Sequence, residues 1–277
     1  MKLPPVNLLA TILYSVCASL AAEKAANAKD DALAVFSGSN PAASPTPREK
    51  AWVTAHSKRE ARLQQGNADV LLIGDSITAG WSKHPDLLQK AFGDRQVVNL
   101  GHPADKTENI LWRIRNHSFD KVSPGVAIVL AGTNNSNNDD YTPDQIAGGV
   151  QAIVAELRDK LPQTKILLLG IFPRGSSGQR LELKNGRTAA EMNPQWEKIN
   201  VVNRTLSEFA DGRMVVYLDI NREFLNGEGE LPVDVMPDLL HPNAKGYEIW
   251  GRAIQPVVER MTSSPDSGNL PPRPKAL

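Results

Sequence analysis

Val70-Leu71-Leu72-Ile73-Gly74-Asp75-Ser76-Ile77-Thr78 is the stretch on which the reading of this chain turns. Four consecutive apolar residues show no alternation between a wet and a dry face. As a strand they must therefore be covered on both sides, and Gly-Asp-Ser ends them as a turn. Outward from this point, short runs rich in Val, Ile and Leu recur at 96–100, 126–131, 165–171 and 214–218. Helical patterns occupy 85–92, 106–116, 143–161, 193–210 and 243–261, and a further amphipathic one, 48–65, precedes the first strand. Thr142-Pro143-Asp144-Gln145 opens one of them with a cap, a first-turn proline and a capping-box glutamine. Doubly covered strands separated by helices predict an α/β protein: a three-layer α/β/α, flavodoxin-like fold around a central parallel five-stranded sheet. In such sheets ligands sit beyond the carboxyl ends of the strands.

Polar residues collect at those ends. Gly74-Asp75-Ser76 follows the first strand, Gly101 the second and Gly132-Thr133-Asn134-Asn135 the third, while Asp238-Leu239-Leu240-His241-Pro242-Asn243 lies just before the last helix. A serine hydroxyl is a poor nucleophile until a base takes its proton. His241 suits that role for Ser76, because Asp238, three residues earlier, can accept from its Nδ1 and fix the tautomer. Backbone N–H groups of Ser76 and Gly101 and the amide of Asn134 could converge on a developing oxyanion. Each feature also has a plainer reading: Gly-Asp-Ser as ordinary turn chemistry, Asp238 and Pro242 as helix-opening residues, Asn134 as a local backbone partner, Gly101 as a strand-ending turn.

Taken in order, GDSIT (74–78), NLG (99–101), GTNN (132–135) and DLLHPN (238–243) resemble the blocks of the SGNH, or GDSL, hydrolases. The resemblance is greatest to the branch holding the catalytic subunits of platelet-activating-factor acetylhydrolase and its bacterial relatives, and it spans roughly residues 68–250. It implies Ser76 as nucleophile, His241 as base, Asp238 as orienting carboxylate, Gly101 and Asn134 as oxyanion donors, and no cofactor. The Ser76 block is not a GxSxG elbow, since Thr78 stands where that motif needs glycine. His102-Pro103-Ala104 replaces the glycines that relatives commonly carry before the aspartate at 105, so Asp75, His102 and Asp105 become candidate substrate contacts. The segment 174–194 is longer than in the acetylhydrolase subunits and carries Arg174, Arg180, Lys184 and Arg187; a solvated loop is the expectation for it.

The remaining features bound the function. Residues 1–28 read as a signal peptide cleaved near 21–28, 29–47 as a flexible leader, 48–261 as the hydrolase domain and 262–277 as a disordered tail. That predicts an exported protein, periplasmic or extracellular, without stable membrane insertion after processing. Lys and Arg number 31, as do Asp and Glu, so no net field favours nucleic acid. The single cysteine, Cys17, lies in the signal, which leaves no disulfide or thiolate metal site in the mature chain. His56, His84 and His117 are expected to be packed or solvated, with no metal bound. The expected activity is that of a serine esterase on small acyl esters, acetyl esters of a carbohydrate or lipid foremost. Lysophospholipase or thioesterase activity is the nearest alternative, and a non-catalytic carbohydrate-binding protein on the same fold is the alternative from another class.

Overall fold

The computed structural model describes residues 40–137 and 139–263; the expected signal peptide, most of the leader and residues 264–277 lie outside them. In chain order the strands are β1 (Val70–Gly74), β2 (Val97–Asn99), β3 (Val126–Leu130), β4 (Lys165–Leu169), β5 (Ala189–Ala190), β6 (Val215–Leu218) and β7 (Leu231–Pro232). The helices are α1 (Lys50–Leu63), α2 (Ser76–Ala79), α3 (Pro85–Phe92), α4 (Thr107–Asn116), α5 (Pro143–Lys160), α6 (Ser177–Leu181), α7 (Pro194–Phe209) and α8 (Ala244–Ser263). Five strands form one parallel sheet in the order β2-β1-β3-β4-β6, and β5 and β7 form a small antiparallel pair. The expected flavodoxin-like sheet is present.

The apolar runs divide between two cores by simple alternation. Leu71, Ile73, Ala127, Val129, Ile166 and Leu168 pack under α4, α5 and α7. Val70, Leu72, Val126, Ile128, Leu167 and Leu169 face the other way, under α3 and α8. Every residue of β1 and β3 is buried, which is why their sequences show no polar face. Thr142 and Gln145 exchange the two hydrogen bonds of a capping box at the start of α5, as their spacing predicts.

Two expectations need correction. Residues 41–47, assigned to a flexible leader, are bound to the domain: Ala42 is buried, its carbonyl accepts from Thr107 Oγ1 at 2.8 Å, and Thr46 exchanges bonds with the backbone of Glu108 and the side chain of Asn109. A Cβ on Gly149 would stand 2.5 Å from that same carbonyl, so the glycine of α5 makes the docking groove. At the other end, Thr262 and Ser263, assigned to the tail, continue α8.

Candidate active site

The strand order reverses direction at β1, whose neighbours are β2 and β3, so a crevice opens beyond the carboxyl ends of β1 and β3. Ser76 and Asn134 stand on the two loops that leave these strands. Gly74 permits the tight exit of β1: a Cβ there would meet Leu130 O at 2.3 Å and Thr78 Oγ1 at 2.1 Å. Asp75 then caps α2 by accepting from Ile77 N at 2.9 Å, which puts Ser76 at the first helical position. Tyr247 of α8 donates to Ile77 O at 2.6 Å and pins the short helix from below.

Ser76 Oγ lies 2.9 Å from His241 Nε2, and His241 Nδ1 lies 2.7 Å from Asp238 Oδ2. The second carboxylate oxygen of Asp238 accepts the backbone N–H groups of Leu240 and His241, at 3.1 and 2.7 Å. The turn closes because Leu239 adopts a φ of 55°, a left-handed conformation its fully buried side chain holds in place. Burial pushes the Asp238 carboxyl up, but the bonds from the His241 side chain and backbone outweigh it and hold the carboxyl down at about 2. It is therefore a carboxylate across the whole neutral range, able to stabilise an imidazolium.

The expected oxyanion donors are differently committed. Ser76 N–H, in the first turn, has no place in the helix ladder. Asn134 Nδ2 donates to Asp105 O at 2.8 Å, which orients the amide and leaves its second hydrogen for another acceptor. Gly101 N–H is given to Asn99 Oδ1 at 2.9 Å. The need for glycine at 101 comes from packing: a Cβ would meet Ala79 N at 2.4 Å and Thr78 C at 2.8 Å.

Of the three candidate substrate contacts, none presents its side chain openly. Asp105 is fully buried, paired with Arg113 at 2.7 Å and with Trp52 Nε1 at 2.7 Å. Arg113, itself buried, also donates to Leu100 O and Gly74 O, so this pair ties together the ends of β1 and β2. Asp105 thus reaches the site through its carbonyl, under Asn134, rather than through its carboxylate. His102 sets its ring against Trp52 and brings Nδ1 to 3.6 Å from Asp105 Oδ1. Asp75 is buried beneath Ser76, with Oδ2 unpartnered, and burial raises its carboxyl to about 7.

The segment 174–194 departs most from expectation. Instead of a solvated loop it is a strap across the site, held by two of the arginines that the sequence places in it. Arg174 is buried and donates to Thr133 O and Asn137 Oδ1, both at 2.8 Å, which holds the turn carrying Asn134. Gly175 N–H donates to Leu239 O at 2.8 Å; Arg180 donates to Asp238 O at 2.9 Å and reaches Asp238 Oδ2 at 3.3 Å. The available signal was position: Arg174 follows β4 at the same sheet end as the other site residues. Arg187, by contrast, pairs with Glu182 and Glu191 at the surface, as a loop arginine should. His56 and His117 are buried and meet Glu60; His84 packs against Tyr247.

Residues 72–249 match the GDSL-like lipase/acylhydrolase family. The chain belongs to that family. Among curated relatives of this GDSL-family hydrolase, the platelet-activating factor acetylhydrolase IB subunit alpha2 of Rattus norvegicus is 31% identical over 229 residues, covering 80% of this chain and 92% of the relative. The alpha1 subunit of Bos taurus is 28% identical over 238 residues, covering 84% and 95%. Its fold is also that of a GDSL-like lipase from Bacteroides thetaiotaomicron (TM-score 0.61, 22% identity, 76% of this chain and 99% of that one). A catalytic mutant of an acetylxylan esterase from Geobacillus stearothermophilus matches at a TM-score of 0.53 and 18% identity, covering 70% and 94%. Among the described residues no helix is long and apolar enough to cross a membrane.

Proposed function

We propose that this GDSL-family hydrolase is a serine esterase that cleaves small acyl esters, acetyl esters foremost, through a covalent acyl-enzyme. The observation that carries the reading is the unbroken chain Ser76 Oγ, His241 Nε2, His241 Nδ1, Asp238 Oδ2, with links of 2.9 and 2.7 Å. His241 takes the Ser76 proton as Oγ attacks the ester carbon, and Asp238 stabilises the imidazolium that forms. Negative charge collects on the carbonyl oxygen, where Ser76 N–H and the second Nδ2 hydrogen of Asn134 stabilise it; Gly101 N–H joins them when the Asn99 side chain releases it. Collapse expels the alcohol, protonated by His241, and a water activated by the same imidazole releases the acid.

The acetyl preference rests on shared chemistry. Names of similar proteins refer to an acetylhydrolase and to an acetylxylan esterase, which have the acetyl group in common and differ in the alcohol. Whether that alcohol is a carbohydrate or a lipid is decided by a panel of acetyl esters varied in the leaving group. Export to the periplasm or beyond is part of the same reading and rests on residues 1–28 alone.

Ser76→Ala should abolish turnover of p-nitrophenyl acetate and labelling by a fluorophosphonate while leaving the circular-dichroism spectrum and Tm unchanged. Activity or labelling that survives in the folded variant would overturn the assignment. A wild-type protein that resists the probe would instead point to a binding protein on this fold.

A further inference from the structure

On the side of the sheet away from α8, three ligand-type side chains come together that no step of ester hydrolysis uses. His56 and Glu60 stand four residues apart on α1, hence on one helix face. His117 follows the end of α4 and lays its ring against His56, with centroids 4.3 Å apart. One ligand atom from each of His56, Glu60 and His117 lies within 4.8 Å of the others. We propose that these residues form a zinc site that fastens α1 to the end of α4.

The cluster is poorly explained as packing alone. His56 and His117 are 6% and 2% exposed, and His56 Nδ1 and His117 Nε2 are buried with no hydrogen-bond partner. A buried nitrogen lone pair without a partner is costly, and a cation supplies one. Two imidazoles and one carboxylate suit zinc or a similar late first-row ion rather than calcium or magnesium, which prefer all-oxygen shells.

The surroundings are those of a supported site. Ser118 N and Gln64 Nε2 donate to Glu60 Oε1, at 2.9 and 3.3 Å, while Oε2 meets His117 Nδ1, so the carboxylate must turn from Nδ1 toward the unpartnered Nε2 to share an ion with it. Zinc holds its nitrogen and oxygen ligands at about 2.0–2.2 Å, which sets them roughly 3.5 Å apart, so a triangle spanning up to 4.8 Å must close around the ion. Glu60 is partly exposed, with 24% of its side chain accessible, and provides both that freedom and a route for entry. The positive charge of nearby Arg113 is met by Asp105 at 2.7 Å.

Such an ion would act at a distance from the chemistry. Arg59, beside Glu60 on α1, donates to Gly101 O at 3.0 Å, and Trp52 holds Asp105. Fixing α1 therefore fixes the loop between β2 and α4.

The test uses untagged full-length protein, stripped with a chelator and dialysed against zinc or cobalt(II). We expect about one zinc per chain, visible d–d absorption with cobalt, and a rise in Tm with either ion. His56→Ala and His117→Gln, each checked for folding by circular dichroism, should lose the bound ion and the Tm rise, whereas His241→Ala should keep both. Zinc absent from the wild-type protein would overturn the site. So would zinc that persists in the His56→Ala, His117→Gln double variant, or that disappears with His241→Ala. If both single variants fail to fold, the wild-type stoichiometry and cobalt spectrum still decide the matter.

Discussion

Asn134 shows how one side chain can be both structural and poised. Its amide gives one hydrogen to Asp105 O and keeps the other, so its orientation is set before substrate arrives. Asn134→Ala should lower kcat about 100-fold, a loss of about 3 kcal/mol in the transition state, with little change in KM; steady-state kinetics on p-nitrophenyl acetate measures the split. An unchanged kcat would remove Asn134 from the oxyanion site. Gly101 makes a different demand. Its added Cβ meets backbone atoms of Thr78 and Ala79 that cannot swing aside. Gly101→Ala should therefore destabilise the protein by about 1–3 kcal/mol, read as a lowered denaturation midpoint, whatever it does to catalysis.

Among the elements, the strap 174–194 matters most. It grips the turn at 133–137 through Arg174 and the turn at 238–241 through Gly175 and Arg180. Arg180 and Asp238 are both partly exposed, at 32% and 42% of their side chains, so solvent screens the pair and its value is about 1 kcal/mol. Arg180→Ala should accordingly reduce kcat/KM about five-fold. Its activity should also fall off earlier on the acid side, because a cation that opposes protonation of Asp238 is gone. A loss of activity with an unmoved pH profile would mean that Arg180 only packs the strap. Direct inspection of composition could not show this, since nothing in a run of arginines tells which of them will find a carbonyl across the fold.

For the whole molecule, the two buried titrating regions work against each other. Asp75 has a folded pKa of about 7 against 3.8 in the open chain. Between those values the folded protein holds a proton that the unfolded chain has lost, so this group makes stability fall as pH rises. His117, brought down from 6.5 to about 4, does the reverse: the unfolded chain binds the proton first, and stability rises with pH across that window. Asp75→Asn removes the first contribution and leaves the second. The Tm of the variant should climb more steeply than that of the wild-type protein between about pH 4 and 7. Parallel curves in differential scanning calorimetry would show that Asp75 titrates normally.

The sequence by itself determined the layer architecture and pointed to the candidate reacting groups. Unbroken apolar runs such as 126–130 mark doubly covered strands, because burial on both faces leaves no place for a polar residue. Local spacing likewise joined Asp238 to His241, since a three-residue turn is short enough to be read along the chain. Tertiary structure alone decided where long-range partners fall. The carboxylate of Asp105 turned inward to Arg113, His102 turned to Trp52, and Arg180 reached Asp238 from 58 positions away. Residues 41–47, rich in Pro and Ala, read as a flexible leader, yet docked on α4 and α5 through backbone carbonyls, which carry no sequence signature. Burial and hydrogen bonding across the sheet are collective outcomes of packing, and a side chain's chemistry states what it can do without stating which neighbour it will meet.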